Sequence, residues 1–126
     1  TKIEVSKSKE LLTSVLGMGF PYRRYTNMKA VAESLEYFLK NTRGLRRIGS
    51  AALDLAYVAA GRLDAFYEVN LNAWDVAGGI ILVKEASGKV QDFAGEDNAL
   101  FGMEIIASNP NIIDELRTKI QDFYID

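Results

Sequence analysis

This sequence predicts a single α/β domain, with a mostly parallel or mixed β-sheet of about five strands flanked by helices. Three observations carry the prediction. Strand-like and helix-like runs alternate along the chain, which is the pattern of a sheet covered by helices. Met28 to Lys40 places apolar residues at helical spacing, whereas Leu63 to Val69 alternates with the period of a strand. The chain has 126 residues, enough for one real core and too few for two, so residues 1–126 are expected to form one domain.

Taken in order, Lys2 to Ser6 is a short extended segment, and Leu11 to Gly17 is strand-like, ended by Gly17-Met18-Gly19. Pro21 pushes Phe20 out of the helical region, so Phe20-Pro21-Tyr22 is a turn or link. Met28 to Lys40 is an amphipathic helix with Val31, Leu35, Phe38 and Leu39 on one face; Thr26 or Asn27 caps it and Asn41 to Gly44 stop it. Leu45 to Ile48 is a short strand. Ser50 caps an Ala-rich helix that runs through Ala60, and Gly61 suits the position just past its end.

In the strand Leu63 to Val69, the residues Leu63, Ala65, Tyr67 and Val69 face one way, and Asp64, Phe66 and Glu68 the other. The next helix, Trp74 to Ala86, contains an uncharged apolar run from Val76 to Val83 and is expected to be buried nearly all round. Gly78 and Gly79 each cost such a helix roughly 1 kcal/mol, which suggests close packing at both. Lys89 to Phe93 and Glu104 to Ala107 are strands separated by a polar loop, Ala94 to Gly102. Asn109 is a good N-cap and Pro110 a good first residue for the last helix, whose apolar stripe is Ile113, Leu116, Ile120 and Phe123.

Composition narrows the function. Apolar residues make up 48% and charged residues 25%, as in an ordinary soluble globular protein. A net charge of −2 without a basic block argues against nucleic acid as the main partner. No apolar run approaches ~18 residues, so no membrane partner is expected, and no signal peptide is visible. With no cysteine there is no disulfide or thiolate chemistry, which suits a cytoplasmic setting. Histidine is absent too, so any hydrolytic chemistry rests on carboxylates, hydroxyls and hard cations.

The most informative stretch is Glu68 to Gly79. It sets two carboxylates, Glu68 and Asp75, on either side of a short polar turn, with Trp74 just before the second. A carboxylate at the mouth of an apolar helix must be held by backbone N–H groups, by a cation, or by both. Asp75 can therefore be a helix cap as readily as a metal ligand. Glu68 can be a solvated acid at a strand end, Ser50 a structural cap, and Arg43, Arg46 and Arg47 a solvated face.

Trp74-Asp75-Val76-Ala77-Gly78-Gly79 resembles the second signature of the inositol monophosphatase family, Mg²⁺-dependent and lithium-sensitive phosphomonoesterases. Gly49-Ser50-Ala51-Ala52-Leu53-Asp54 resembles that family's small-residue helix start. Glu68 stands at the spacing of its substrate-binding acid, and Glu85-Ala86-Ser87-Gly88 resembles its E-A-G-G turn, with Ser87 where Gly is usual. The resemblance runs from Gly19-Phe20-Pro21 to Ala107-Ser108-Asn109-Pro110 and covers the family's carboxy-terminal half. The aspartate-rich and paired-acid motifs of its amino-terminal half are not in this sequence.

The resemblance implies that Asp75 is a Mg²⁺ ligand and acts in catalysis through the metal. It implies that Glu68 contacts a substrate hydroxyl, that Ser50 and Ala51 line the same pocket, and that Trp74 supports Asp75. The implied parent is a phosphoric monoester hydrolase, a homodimer acting on inositol monophosphate or a related sugar or polyol phosphate. This half, without its amino-terminal partner, is expected to be inactive. The alternatives are half of a related bisphosphate nucleotidase or fructose-1,6-bisphosphatase, or a self-sufficient non-catalytic module that binds a polyol or a protein. Asn70, near the substrate side, leaves the substrate undecided.

Overall fold

The computed structural model describes residues 3–19, 27–69, 71, 73–99 and 104–124. The readings made above for Lys2, Phe20-Pro21-Tyr22, Thr26, Asn70 and the end of the 94–102 loop fall outside these residues. Five strands, β1 (Val15–Met18), β2 (Gly44–Arg46), β3 (Ala65–Val69), β4 (Lys89–Gln91) and β5 (Glu104–Ser108), form one sheet in the order β2-β1-β3-β5-β4. β1 pairs in parallel with β2 and β3, while β5 runs antiparallel to both β3 and β4, so the sheet is mixed.

Among the described residues, four helices cover it: α1 (Met28–Asn41), α2 (Ala51–Ala59), α3 (Ala73–Glu85) and α4 (Ile113–Tyr124). Strand alternation divides the core between the two faces of the sheet. On one face Phe66, Ile105 and Ala107 pack under Leu55 and Val58 of α2 and Val76 and Val83 of α3. On the other, Ala65, Tyr67, Val69 and Ile106 pack under Phe38 of α1 and Ile113, Leu116 and Ile120 of α4.

Local signals set most helix ends. Asn27, one of the two expected caps, accepts a hydrogen bond from the Ala30 N–H at 3.2 Å. The Ser50 hydroxyl accepts one from Leu53 N–H at 3.3 Å. Ala60 closes α2, and Gly61 follows at φ +77°, a conformation that costs glycine little. The buried Asn109 accepts from the N–H groups of Asn111 and Ile112 at 3.0 Å each, and its amide donates to Ser6 Oγ and to the Ser8 carbonyl. It caps a turn, so α4 begins at Ile113 instead of at Pro110.

Several expectations change. Leu11–Thr13 is a 3₁₀ turn, and the strand begins only at Val15. The buried stripe of α1 is Ala30, Val31, Ser34 and Phe38; Leu39 is exposed, because α4 and the sheet cover only that row. β3 starts at Ala65, so Leu63 lies in the preceding turn and packs with Phe66, not with Ala65. β2 and β4 are shorter than expected, at three residues each.

The largest change concerns α3. It is not buried all round. Val76, Gly79, Val83 and Ala86 point to the sheet and α2, but Trp74 is 79% exposed, Ile81 58% and Leu82 39%. Gly79 is closely packed, since a Cβ there would lie 2.5 Å from Leu55 Cδ1, whereas Gly78 has open space around it. Ser87, just after α3, sits at φ +71°, where the resembling family usually has Gly.

Candidate functional site

The candidate site forms where β1 and β3 end and α2 and α3 begin. β1 and β3 run parallel, so their carboxyl ends lie together. The register sets Gly17 beside Phe66 and Met18 beside Tyr67, which brings Gly19 alongside Glu68. The Glu68 carboxylate occupies the space that a side chain at Gly19 would need: a Cβ there would overlap Glu68 Oε1. Two residues back, a Cβ on Gly17 would lie 2.6 Å from Asp54 Oδ1 and 2.7 Å from Leu63 Cδ1. The missing side chains of Gly17 and Gly19 thus make room for two carboxyl groups in a row.

Ser50 is the exposed N-cap of α2, and Ala51, half-buried, is its first residue. Asp54 follows one turn later, facing inward at 1% exposure. Its Oδ1 is a buried side-chain oxygen with no hydrogen-bond partner among the described residues. Burial pushes its carboxyl group up to about 7. Glu68 is half-buried near the end of β3. Burial first, then the charges of Asp54 and Asp75, push it up to about 7, while the Arg47 guanidinium pulls the other way. Asp75 stands exposed in the first turn of α3.

Of the residues singled out from sequence, Glu68 and Asp75 are close enough to feel each other's charge, and Asp54 and Arg47 join them. Ser50 and Ala51 lie at the entry of the helix that carries Asp54. Trp74 extends into solvent, so a packed support for Asp75 is not its role among the described residues. Arg43, Arg46 and Arg47 are exposed, as a solvated face would be, and Arg47 alone of them acts on Glu68.

Asp54 escaped the sequence reading, although a signal was present. It falls one turn before Val58 on an apolar helix, where an acid needs a reason to be.

Asp75 offers a hard oxygen donor of the kind Mg²⁺ takes. No group of three or more His, Cys, Asp or Glu side chains that could hold a metal occurs among the described residues. No described helix is long and apolar enough to cross a membrane.

Comparison with known proteins identifies the family and the fold. The sequence model of the inositol monophosphatase family matches residues 1–126. The Nus factor SuhB of Pseudomonas aeruginosa is 43% identical over 122 residues, which are 95% of this chain and 45% of that protein. An inositol monophosphatase from Anabaena superposes with a TM-score of 0.88 at 41% identity, covering 96% of this chain and 48% of its own. The Thermotoga maritima enzyme of the same name gives 0.87 at 37%, covering 98% and 46%. The chain therefore spans about 45% of the length of the curated relatives it matches, corresponding to their carboxy-terminal half. By sequence and by fold, this chain belongs to the inositol monophosphatase family.

Proposed function

We propose that this chain is the substrate- and metal-binding half of a Mg²⁺-dependent phosphomonoesterase acting on inositol monophosphate or a related small polyol phosphate. The observation that carries the reading is that the charge of Asp75, in the first turn of α3, reaches Glu68, near the end of β3, where Glu68 fills the space beside Gly19.

Each residue then has a role. Glu68, held in the space beside Gly19, accepts a hydrogen bond from a substrate hydroxyl. Ser50 and Ala51 present the amino end of α2 to substrate oxygens. Asp75 contributes one carboxylate to the metal, which when bound would activate water and offset charge on the leaving oxygen. The other ligands come from an amino-terminal half like that of the relatives. The apolar surface of α3, with Trp74, Ile81 and Leu82, supports this, because an uncovered face of that kind marks a docking site.

The test joins the chain to the amino-terminal half of the Anabaena relative and assays inositol monophosphate with Mg²⁺. Asp75→Asn is expected to lower kcat by about 100-fold or more and to raise the Mg²⁺ requirement. Glu68→Gln is expected to raise KM by about 10-fold with little change in kcat, the sign of lost ground-state binding. Unchanged activity in Asp75→Asn would falsify the metal role.

A second reading has its own support in the name Nus factor carried by curated relatives. On that reading this half serves as a protein-binding surface. A joined protein that is folded and binds Mg²⁺ yet releases no phosphate would favour it.

A further inference from the structure

Residues 4–8 belong to no helix or strand, yet they are tied down at almost every step. The Val5 N–H donates to the carbonyl of Ala86, the residue after α3, at 3.1 Å. The Val5 side chain is buried with α2 and α3 and closes with Val83 over Gly88: a Cβ there would lie 2.8 Å from Val5 Cγ1 and 2.6 Å from Val83 Cγ1. Just past the end of α2, a Cβ on Gly61 would lie 3.1 Å from the Glu4 carbonyl oxygen. The buried Asn109 amide donates to Ser6 Oγ at 3.0 Å and to the Ser8 carbonyl at 3.1 Å. The Ser8 hydroxyl lies 2.8 Å from that of Ser14, just before β1.

This strap therefore crosses the carboxyl ends of α2 and α3, whose amino ends form the candidate site. Ser50 and Ala51 open α2, and Asp75 lies in the first turn of α3. Between the two ends, the helices meet closely at Gly79, pressed against Leu55, and Gly79 is the midpoint of α3. A helix of this length is about 20 Å long. Pivoting at Gly79, a sideways shift of about 1 Å at Ala86 becomes a shift of about 1 Å at Asp75, and a misplacement of that size can cost a catalytic site about 100-fold in rate. Val76 and Val83 hold α3 to the sheet, but apolar contacts are non-directional. The hydrogen bonds of the strap have direction as well.

We propose that residues 4–8 form a clamp that sets the angle between α2 and α3, with Val5 and Asn109 as positioning residues for Asp75 and for the start of α2. Its consequence for catalysis rests on the proposed function; the clamp itself does not.

The experiment is amide hydrogen exchange and NMR on this chain, with Asn109→Asp and Val5→Ala alongside. Asn109→Asp keeps an oxygen to accept from the Asn111 and Ile112 N–H groups and removes both donors to the strap. Val5→Ala leaves Asn109 in place and thins the packing over Gly88. In the parent, the amide at position 5 should exchange about 100-fold or more slower than an unprotected one. Either variant should speed that exchange by about 10-fold or more. Well below the melting temperature, the amide signals of Leu53 and Val76, at the amino ends of α2 and α3, should shift, while those of Phe38 in α1 and Ile120 in α4 stay in place. A segment that only added stability would lower Tm and leave the site-end signals where they were.

Exchange at the unprotected rate at position 5 of the parent, or site-end signals unmoved once the strap is open, overturns the proposal, and Val5→Ala decides it alone if Asn109→Asp does not fold. None of these readouts needs metal or substrate. In the joined protein both variants should lower kcat by about 10-fold or more. Site-end shifts in a joined protein without phosphatase activity would remove the functional reading alone; full activity in variants whose strap is open would remove the clamp alone.

Discussion

At the scale of single residues, the site depends on what two glycines leave out. Gly19 gives up its side chain so that Glu68 can occupy the end of β3. In the joined protein, Gly19→Ala should displace that carboxylate and raise KM by about 10-fold, with the circular dichroism of the fold unchanged. The raised acids also give the chain a pH dependence. Asp54 and Glu68 hold protons up to about 7 in the folded chain. The unfolded chain releases them near pH 4. Between those values the folded state binds more protons, so stability falls as pH rises from about 4 to about 7, by at most roughly 4 kcal/mol for Asp54. Thermal melts at pH 5 and pH 8 should show the drop, and Asp54→Asn should flatten it.

At the scale of elements, the parts best read from sequence were those fixed by local chemistry. Ser50 caps α2 and Gly61 follows its end, because both act within a turn of themselves. The alternation of Ala65, Tyr67 and Val69 against Phe66 and Glu68 held for the same reason. Leu63 broke the pattern because a strand's start is set by its neighbours: Asp64 Oδ2 accepts from the Val15 N–H at 2.6 Å and turns the chain before pairing begins. Asn109 was read correctly as a cap, but two of its four side-chain hydrogen bonds tie that turn to Ser6 and Ser8, more than 100 positions away, which no local pattern reveals. The contact of α2 with α3 rests on Gly79, pressed against Leu55. Gly79→Ala should cost about 1–3 kcal/mol by overpacking, read as a lower denaturant midpoint, whereas Gly78→Ala, with open space around it, should be neutral or stabilising.

At the scale of the whole molecule, the apolar run in α3 pointed to complete burial, and the described residues bury only one side of it. Sequence records that a face is apolar and not which surface covers it, so an apolar face that the fold leaves open reads as core. The same limit hid Asp54, whose neighbours come from β1 and β3. The central claim is that this chain carries part of a metal-dependent phosphatase site and that an amino-terminal half completes it. The most direct measurement is phosphate release from inositol monophosphate with Mg²⁺, by the chain alone and by the chain joined to that half. The account predicts no turnover above the uncatalysed rate for the chain alone and clear turnover for the joined protein; turnover by the chain alone, or none by a folded joined protein, would contradict it.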